Sequence, residues 1–328
     1  MTDILLEVDG LSVRYESATP LPAVTDVSFT LRRGEILGIA GESGSGKSTL
    51  VTALLRLQRS PAVTSAGRAL LHLPDAEPVD LVAADSRTLR RLRWEQIAIV
   101  FQSAMNALNP VQRLEKQFVD ALRAHRRVSR RAARERAEEM LEMVGIPASR
   151  IGSYPHELSG GMRQRATIAL ALLCEPDLVV MDEPTTAVDV VMQRQILKQI
   201  VRLQRRLGFA VVFITHDLSL LLEIADRIAV MYGGRIVEIG PARDLHRDAR
   251  HPYTRGLRDS FPPLRGEIRP LHGIPGTPVD LRNPPPGCSF APRCPLATPE
   301  CDAAPPDLRT VDGHDVACLH AEEVPASA

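Results

Sequence analysis

Short apolar runs alternate with helical patterns through most of the chain. Four of the runs are rich in β-branched residues and lack polar alternation: Ile36–Ala40, Ile97–Phe101, Leu178–Met181 and Ala210–Ile214. Such runs are typical of strands that are buried on both faces of a largely parallel sheet. Because helical patterns separate them, the sequence predicts an α/β fold.

The pattern changes between about residues 105 and 165, where long charged segments replace the apolar runs. Apolar positions after Ser129, a potential N-cap, recur at helical spacing and are Ala137, Met140, Leu141 and Val144. We therefore expect an α-helical subdomain inserted at about residues 105–165.

A hairpin signal lies near the end of the periodic region. The runs Arg227–Met231 and Arg235–Ile239 flank Gly233 and Gly234, and glycines tolerate the positive φ angles of a tight hairpin turn. The main domain should end soon after this hairpin, so we assign it residues 1–250.

Residues 251–328 have a different composition, rich in proline and poor in periodicity. Such a segment can bury little core unaided. We therefore expect a small, irregular appendage that is rich in cysteine and proline.

Composition narrows the class of protein. The chain has 328 residues, 44% of them hydrophobic, which suffices for a sizeable core. Forty basic residues balance forty acidic ones, so no net field attracts nucleic acid, and no nucleic-acid partner is expected.

The N-terminal residues lack a signal-peptide pattern, and the longest nearly apolar stretch, Ala166–Cys174, is far shorter than the roughly 20 residues of a membrane span. The chain should stay in the cytosol, and any membrane function requires partners.

The strongest chemical signal is GESGSGKST at Gly41–Thr49, which follows a predicted strand and precedes a helical pattern from Ser48. Its glycines would let backbone N–H groups curl around an anion at a helix N-terminus. Lys47 would reach the β- and γ-phosphates of ATP, and Ser48 would ligate Mg²⁺. The expected binding residues are Gly41, Ser43, Gly44, Ser45, Gly46, Lys47, Ser48 and Thr49.

Two adjacent carboxylates end the predicted strand in LVVMDE, Leu178–Glu183. Asp182 is placed to hold Mg²⁺, usually through water. Glu183 follows at once, where it could polarise an attacking water as a general base. The sequence therefore predicts hydrolysis of a bound nucleoside triphosphate.

The segment LSGGMRQR at Leu158–Arg165 resembles the signature of ABC-type ATPases. The resemblance implies a P-loop, RecA-like core with an N-terminal antiparallel β subdomain. The signature residues Ser159, Gly160 and Gly161 would open a helix as a second anion site, with Gln164 on the same segment. Because one chain cannot fold this site onto its own P-loop, the family pairs two ATPase domains head to tail.

Four further positions extend the resemblance. Gln102 in IVFQSAMNALNP is similar to the Q-loop residue that contacts Mg²⁺, and His216 in FITHD is similar to the switch histidine at the γ-phosphate. Tyr15 matches the aromatic residue that stacks on adenine. Asp189 in TTAVD would lie at the interface of the pair, where Val188 replaces the usual leucine and should alter the packing slightly.

Two motifs in the tail, HPYTRGL at His251–Leu257 and IPGTPVDL at Ile274–Leu281, resemble the tail of oligopeptide and dipeptide importer ATPases. The resemblance implies two membrane-spanning permease subunits, a second ATPase that is commonly a different chain, and an extracytoplasmic solute-binding protein. It places the chain on the cytoplasmic face of the cell membrane.

Other functions stay open. Close relatives in this branch import nickel or other small solutes. A soluble, non-transport ABC ATPase is a second alternative, but such proteins usually have tandem ATPase domains or long coiled coils, and this sequence has one P-loop and no sustained heptads. Export is disfavoured, because exporters often fuse the ATPase to its membrane span.

Four of the five cysteines lie in the tail: Cys288, Cys294, Cys301 and Cys318. Four thiolates could hold Zn²⁺ or a [4Fe–4S] cluster, and their spacing matches neither the zinc-ribbon nor the ferredoxin pattern. The resemblance to importer ATPases with a similar four-cysteine tail implies the [4Fe–4S] cluster, with zinc and metal-free thiols as alternatives.

Overall fold

The structure is a computed structural model, which describes residues 3–102, 107–185, 189–260 and 273–324. The chain divides into two compact units. The first unit comprises residues 1–5, 32–35 and 84–212, and the second comprises residues 6–31, 36–83 and 213–328. No helix in the described ranges is both long enough and apolar enough to cross a membrane.

The elements alternate between strands and helices, as an α/β fold requires. The strands are β1 (Ile4–Tyr15), β2 (Leu21–Arg32), β3 (Ile36–Ala40), β4 (Ala62–Leu71), β5 (Val79–Asp80), β6 (Ile97–Val100), β7 (Leu178–Asp182), β8 (Ala210–Ile214), β9 (Arg227–Tyr232), β10 (Arg235–Pro241), β11 (Arg309–Val311) and β12 (His314–Val316). The helices are α1 (Lys47–Leu54), α2 (Ser86–Leu92), α3 (Leu114–His125), α4 (Arg130–Met143), α5 (Gly160–Ala171), α6 (Val190–Leu207), α7 (Leu218–Ile224), α8 (Ala242–Asp248) and α9 (Pro252–Asp259).

The second unit contains an N-terminal sheet with the order β2-β1-β4-β5, as expected of the antiparallel β subdomain. Strands β1 and β4 pair antiparallel from Leu6 opposite Leu71 to Tyr15 opposite Ala62. Strand β1 alternates buried and partly exposed side chains over much of its length, so one face packs on the core.

The second unit also holds the neighbouring strands β11-β12-β10-β9-β3. All five residues of β3 are buried, and β3 pairs parallel with β9. Strands β9 and β10 form the expected hairpin, with φ angles of 59° at Gly233 and 77° at Gly234. Two positive φ angles are the requirement of the turn that best matches strand twist.

The first unit contains the parallel pair β6 and β7 and the helical insert. Helix α4 begins after Ser129, whose hydroxyl accepts a hydrogen bond from the N–H of Ala132, which confirms the predicted N-cap. The four apolar positions predicted for this helix and its C-cap are buried, and they are Ala137, Met140, Leu141 and Val144.

The predicted boundaries differ from the structure in three places. Strand β6 ends at Val100, and Phe101 is 43% exposed, because an apolar run alone does not tell where the pairing stops. Strand β7 continues through Asp182, which is buried although it is charged. Helix α1 begins at Lys47, one residue before the predicted start.

Residues 273–324, the described part of the C-terminal tail after α9, are mostly irregular. They contain two short 3₁₀ turns, Ala291–Arg293 and Pro299–Asp302, and the hairpin β11–β12. Strand β12 pairs with β10, with Val316 opposite Glu238. A small apolar cluster packs inside the tail and consists of Val311, Val316, Cys318 and Ala321. The tail therefore has some core of its own, in addition to its pairing with β10.

Candidate functional site

The P-loop backbone adopts conformations that only glycine tolerates at two positions. Gly41 has a φ of 151° and Gly46 a φ of 99°. A Cβ on Gly41 would lie 2.3 Å from the carbonyl oxygen of Met231, and a Cβ on Gly46 would lie 2.4 Å from that of Ala23. The glycines at these positions are therefore required by the curve of the loop.

Lys47 is buried at the first position of α1, and its ammonium lies inside the curve of the loop. Its Nζ donates to the carbonyl oxygens of Gly41 at 2.7 Å and Glu42 at 2.8 Å, and to Oγ of Ser45 at 3.2 Å. Helix α1 begins without a side-chain cap, so its N-terminal dipole is open to an anion. A buried cation beside an uncapped helix N-terminus fits the phosphates of a nucleotide.

The other loop residues differ in their exposure. Ser43, Gly44 and Ser48 are exposed, and Ser45 is buried. Thr49 is partly buried, and its Oγ1 lies 3.0 Å from the hydroxyl of Tyr15 at the end of β1. The structure thus brings Tyr15 together with the P-loop, and its role in stacking on adenine stays a prediction.

In the first unit, Asp182 ends β7 and is 7% exposed. Glu183 follows it with a φ of 45°, a conformation that is uncommon for a residue other than glycine. Nε2 of Gln102 donates to Oε2 of Glu183 at 2.8 Å. The structure therefore brings two predicted site residues together, and the positive φ marks Glu183 as a strained backbone position.

The signature segment opens α5, as predicted. Ser159 is the N-cap, and its Oγ accepts from the N–H of Met162 at 3.3 Å. Gly160 is partly exposed and Gly161 is buried. A Cβ on Gly161 would lie 2.5 Å from Sδ of Met192, so the glycine lets α5 approach α6 closely.

Two predicted residues hold neighbouring backbone in the first unit. Gln164 is 1% exposed, and its amide donates to the carbonyl oxygen of Pro184, directly after Glu183. Asp189 is the N-cap of α6 and accepts from the N–H of Met192 at 2.9 Å. The substitution at Val188 lies outside the described residues.

His216 follows β8 and is exposed, in the turn before α7. The preceding Thr215 donates its N–H to the carbonyl oxygen of Ile39 at 3.2 Å. The next residue, Asp217, is the N-cap of α7. The position of His216 is therefore fixed by ordered backbone on both sides.

The tail cysteines line one small cavity that is partly open to solvent. They are Cys288, Cys294, Cys301 and Cys318, the four that the sequence indicated as a shared ligand set. The N–H of Cys288 donates to the carbonyl oxygen of Cys301 at 2.7 Å. A Cβ on Gly287 would lie 2.1 Å from that same oxygen, so this approach requires glycine. We call this cavity the cysteine pocket.

The side chains of the cysteine pocket do not form a preformed metal site in the described part of the chain. All five cysteines are free thiols. Within the described ranges, no group of three or more His, Cys, Asp or Glu side chains is arranged to hold a metal ion. A single Zn²⁺ needs four ligand atoms, each about 2.0–2.3 Å from one point. The described residues therefore show no preformed metal site, either for a single ion or for a cluster.

Burial opposes deprotonation of three of the pocket thiols. It raises the pKa of Cys288 and Cys294, and it raises that of Cys318 to about 12. The pKa of Cys301 is lowered, since hydrogen bonds from Thr298 and His320 outweigh its burial. Thiolates bind metals, so a metal that bound here would displace protons from the buried thiols.

Sequence reasoning missed a second set of residues that contacts the P-loop. The N–H of Glu42 donates to the hydroxyl of Tyr253 at 2.9 Å, and the carboxylate of Glu42 pairs with Arg293 at 2.7 Å. Burial raises the pKa of Tyr253, so the phenol stays protonated. An arginine within the largely apolar segment SFAPRCP was the available signal, because a buried guanidinium requires acceptors.

Comparison with known proteins gives matches over nearly the whole chain. Residues 24–186 match the family described as ABC transporter, and residues 237–301 match the oligopeptide/dipeptide transporter C-terminal region. A putative peptide import ATP-binding protein of Brucella melitensis biotype 1 is 46% identical, over 98% of this chain and 98% of its own. The oligopeptide transport ATP-binding protein OppD of Salmonella typhimurium is 44% identical, over 93% of this chain and 90% of its own.

A solved structure is similar to the ATPase part of the chain. The ATP-binding cassette MJ0796, in a dimeric post-hydrolysis state bound to ADP and Pi, is 26% identical with a TM-score of 0.63. The match covers 73% of this chain and 99% of that one.

Proposed function

This chain belongs to the family of ABC transporter ATPases that carry the oligopeptide/dipeptide C-terminal region, and we propose that it hydrolyses ATP to drive import of di- or oligopeptides. The observation that carries the substrate class is the full-length likeness, at 43–46% identity, to proteins named as peptide import and oligopeptide transport ATP-binding proteins. We assign residues 1–250 to the ATPase and residues 251–328 to the importer-type tail.

The phosphates would bind in the curve of Gly41–Thr49, where Lys47 already lies among carbonyl oxygens that a phosphate would replace as its partners. Tyr15 would stack on adenine. Ser48, Gln102 and Asp182 would hold Mg²⁺, which neutralises phosphate charge when bound. The uncapped start of α1 and the buried ammonium support this assignment.

Glu183 would accept a proton from the attacking water. The water's oxygen would then bond to the γ-phosphorus while the bond between that phosphorus and the ADP oxygen breaks. The hydrogen bond from Gln102 would orient the Glu183 carboxylate toward that water. His216 would contact the γ-phosphate. The direct contact of Gln102 with Glu183 supports a shared role for these two residues.

The signature segment would act on the ATP of a second ATPase domain. Ser159, Gly160 and Gly161 begin α5 and would offer its N-terminus to that phosphate, and Gln164 would hold the adjoining strand end. Asp189 would lie at the interface between the two domains. Hydrolysis would then reopen the pair and drive the membrane subunits between two states.

The assembly would contain two permease subunits, a second ABC ATPase that is a different chain, and an extracytoplasmic solute-binding protein. This chain would bind peripherally at the cytoplasmic face of the membrane. Nickel or another small solute is the alternative cargo, and it would use the same ATPase machinery.

A [4Fe–4S] cluster in the cysteine pocket is the finer part of the proposal. Four cysteine thiols lining one cavity support it, since thiolates are the ligands of such clusters. When bound, the cluster would cross-link a tail that has little regular structure. Zinc and metal-free thiols are the alternatives, because four cysteines can also bind Zn²⁺.

Anaerobic purification of the full chain tests the cluster. Wild-type protein should be coloured and contain about four iron atoms per chain, the content of the cluster type. The variant Cys294→Ser should lose most of the iron, and Cys174→Ser, which lies outside the pocket, should keep it. Colourless, iron-free wild-type protein would exclude the cluster, and zinc in its place would favour the alternative.

Purification from native membranes tests the importer assignment. Tagged Glu183→Gln protein with ATP and Mg²⁺ should retain its partners, which mass spectrometry identifies; Lys47→Ala is the control that cannot use the nucleotide. Two permeases, a second ATPase and a binding protein are expected, and ligand tests on that binding protein separate peptide from nickel. Ribosomal or DNA-repair partners without membrane proteins would refute the assignment.

A further inference from the structure

All three nitrogens of the Arg293 guanidinium donate hydrogen bonds to acceptors in the second unit. The side chain is 4% exposed and lies in the 3₁₀ turn directly before Cys294. A guanidinium carries five N–H donors in a rigid plane, and five acceptor contacts surround this one. They are Pro275 O from Nε at 2.8 Å, Glu42 Oε2 and Tyr232 Oη from Nη1 at 2.7 and 3.3 Å, and Glu42 Oε1 and Ile274 O from Nη2 at 3.1 and 3.3 Å.

Three side chains hold Glu42, the second residue of the P-loop. Its carboxylate takes both arms of the Arg293 fork, and its N–H donates to the hydroxyl of Tyr253 at 2.9 Å. Its carbonyl oxygen accepts from Nζ of Lys47 at 2.8 Å. Two of these three groups belong to the segment after residue 250, so the tail takes part in fixing the start of the loop.

Two aromatic rings flank the Arg293 guanidinium, which pairs with Glu42. The guanidinium carbon lies 5.7 Å from the ring centre of Tyr232 and 5.8 Å from that of Phe290. The same Phe290 lines the cysteine pocket, next to Cys288 and Cys294. A buried ion pair often adds little net stability, because desolvation offsets the attraction. Its geometry is well defined, however, because a bidentate fork fixes distance and orientation together.

We propose that Arg293 is a positioning residue for nucleotide binding: by clamping Glu42, it holds the P-loop in the curve that receives phosphate. The inference rests on the assignment of Gly41–Thr49 as the nucleotide site. Since its donors all have protein acceptors, Arg293 acts through Glu42 and not on the nucleotide itself. The tail thereby contributes to ATP affinity, and Arg293 links the segment that carries Phe290 and Cys294 of the cysteine pocket to the P-loop.

Titration of the full chain with a fluorescent ADP analogue and Mg²⁺ tests the proposal. Arg293→Met keeps an apolar stem and removes the fork, and it should raise the Kd about tenfold, or ~1.4 kcal/mol. Arg293→Lys should restore part of the affinity, because an ammonium cannot hold both carboxylate oxygens in the same plane. Arg250→Met is the matched control, since Arg250 is 14% exposed and pairs with Asp248 and Asp312 in the same unit. The control should stay within about twofold of the wild type.

A mutant cycle separates positioning from general damage. Glu42→Gln should weaken binding, and adding Arg293→Met to it should weaken binding no further, because the second change then has no partner to release. In the assembled importer, the KM for ATP should rise while kcat stays within about twofold. Additive effects of the two changes, or a folded Arg293→Met protein with wild-type Kd, would overturn the proposal.

Two results keep the test decisive if a variant fails to fold. Circular dichroism reports folding, and Glu42→Gln and Arg293→Lys then probe the pair from each side with smaller changes. If both bind nucleotide as the wild type does, the clamp has no role. If the wild type itself binds no nucleotide and Lys47→Ala changes nothing, the site assignment has failed and not the clamp.

Discussion

The P-loop and the C-terminal tail lie in the same unit, and they are built from contacts of different range. Lys47 bonds to groups two to six positions away along the chain. In the tail, His314 bonds to Glu238 across 76 positions, and Arg293 bonds to Glu42 across 251. A local site can be recognised in the sequence as a motif, whereas a site made by distant side chains depends on a few pairs that no local pattern reveals.

The largest expected effect is on the local site. Lys47→Ala should weaken ATP binding by about 100-fold or more, because it removes the buried cation from the loop. Hydrogen exchange in the tail should stay unchanged, since the contacts of β12 with β10 do not involve Lys47. Lys198→Ala, at an exposed position of α6, is the control and should bind ATP normally. Faster hydrogen exchange in the tail of the Lys47→Ala protein would contradict the view that the P-loop site is built from local contacts alone.

The next effect is on a long-range pair in the tail. Nδ1 of His314 lies 2.8 Å from Oε1 of Glu238, and the two side chains are 3% and 0% exposed. The hydrogen bond to Glu238 raises the pKa of His314 above its ordinary 6.5. His314→Gln should lower the free energy of opening the β10–β12 region by about 2 kcal/mol at pH 6, a typical value for a hydrogen bond to a charged group.

The pH dependence of that loss has a definite sign. Because the folded pKa of His314 is raised, its stabilisation is fully present below pH 6.5 and is lost as the pH rises through the folded pKa. The difference between the wild type and His314→Gln should therefore shrink toward pH 9, as hydrogen exchange would measure. His251, whose pKa burial lowers to about 4, destabilises at low pH in both proteins and cancels from the difference. A difference that grows with pH would contradict the pairing.

The smallest expected effect concerns Tyr15, which lies beside the P-loop. Tyr15→Ala should weaken ATP binding about fivefold, or ~1 kcal/mol, because the adenine loses an aromatic platform. Tyr15→Phe keeps the ring and loses only the hydroxyl contact with Thr49, so its affinity should stay within about twofold of the wild type. Titration with ATP measures both variants. Equal losses in Tyr15→Ala and Tyr15→Phe would show that the hydroxyl matters and not the ring.

Local signals in the sequence predicted much of the fold. The runs Ile36–Ala40 and Ala210–Ile214 are strands with those same bounds. The Ser129 cap and the Gly233-Gly234 turn are also present, because capping and turn formation depend on residues a few positions apart. The α/β class followed from the alternation of these local elements.

The rest required the folded chain. Periodicity gave no sign of the hairpin β11–β12, whose strands have three residues each. The clustering of four cysteines in the tail suggested a common site, but their spacing could not show whether the four thiols line the same cavity. The clamp of Arg293 on Glu42 was missed, since pairing over such a separation is decided by packing of both segments. The catalytic roles given to Glu183, Gln102 and His216 stay predictions.

The central claim is that this chain hydrolyses ATP with Glu183 as the base. The direct measurement is ATP binding and steady-state hydrolysis by the assembled transporter that contains Glu183→Gln, with Glu175→Gln, an exposed glutamate paired with Arg136, as control. The account predicts wild-type ATP affinity with hydrolysis reduced about 100- to 10,000-fold in Glu183→Gln, and no change in the control. Hydrolysis at the wild-type rate by Glu183→Gln would contradict it.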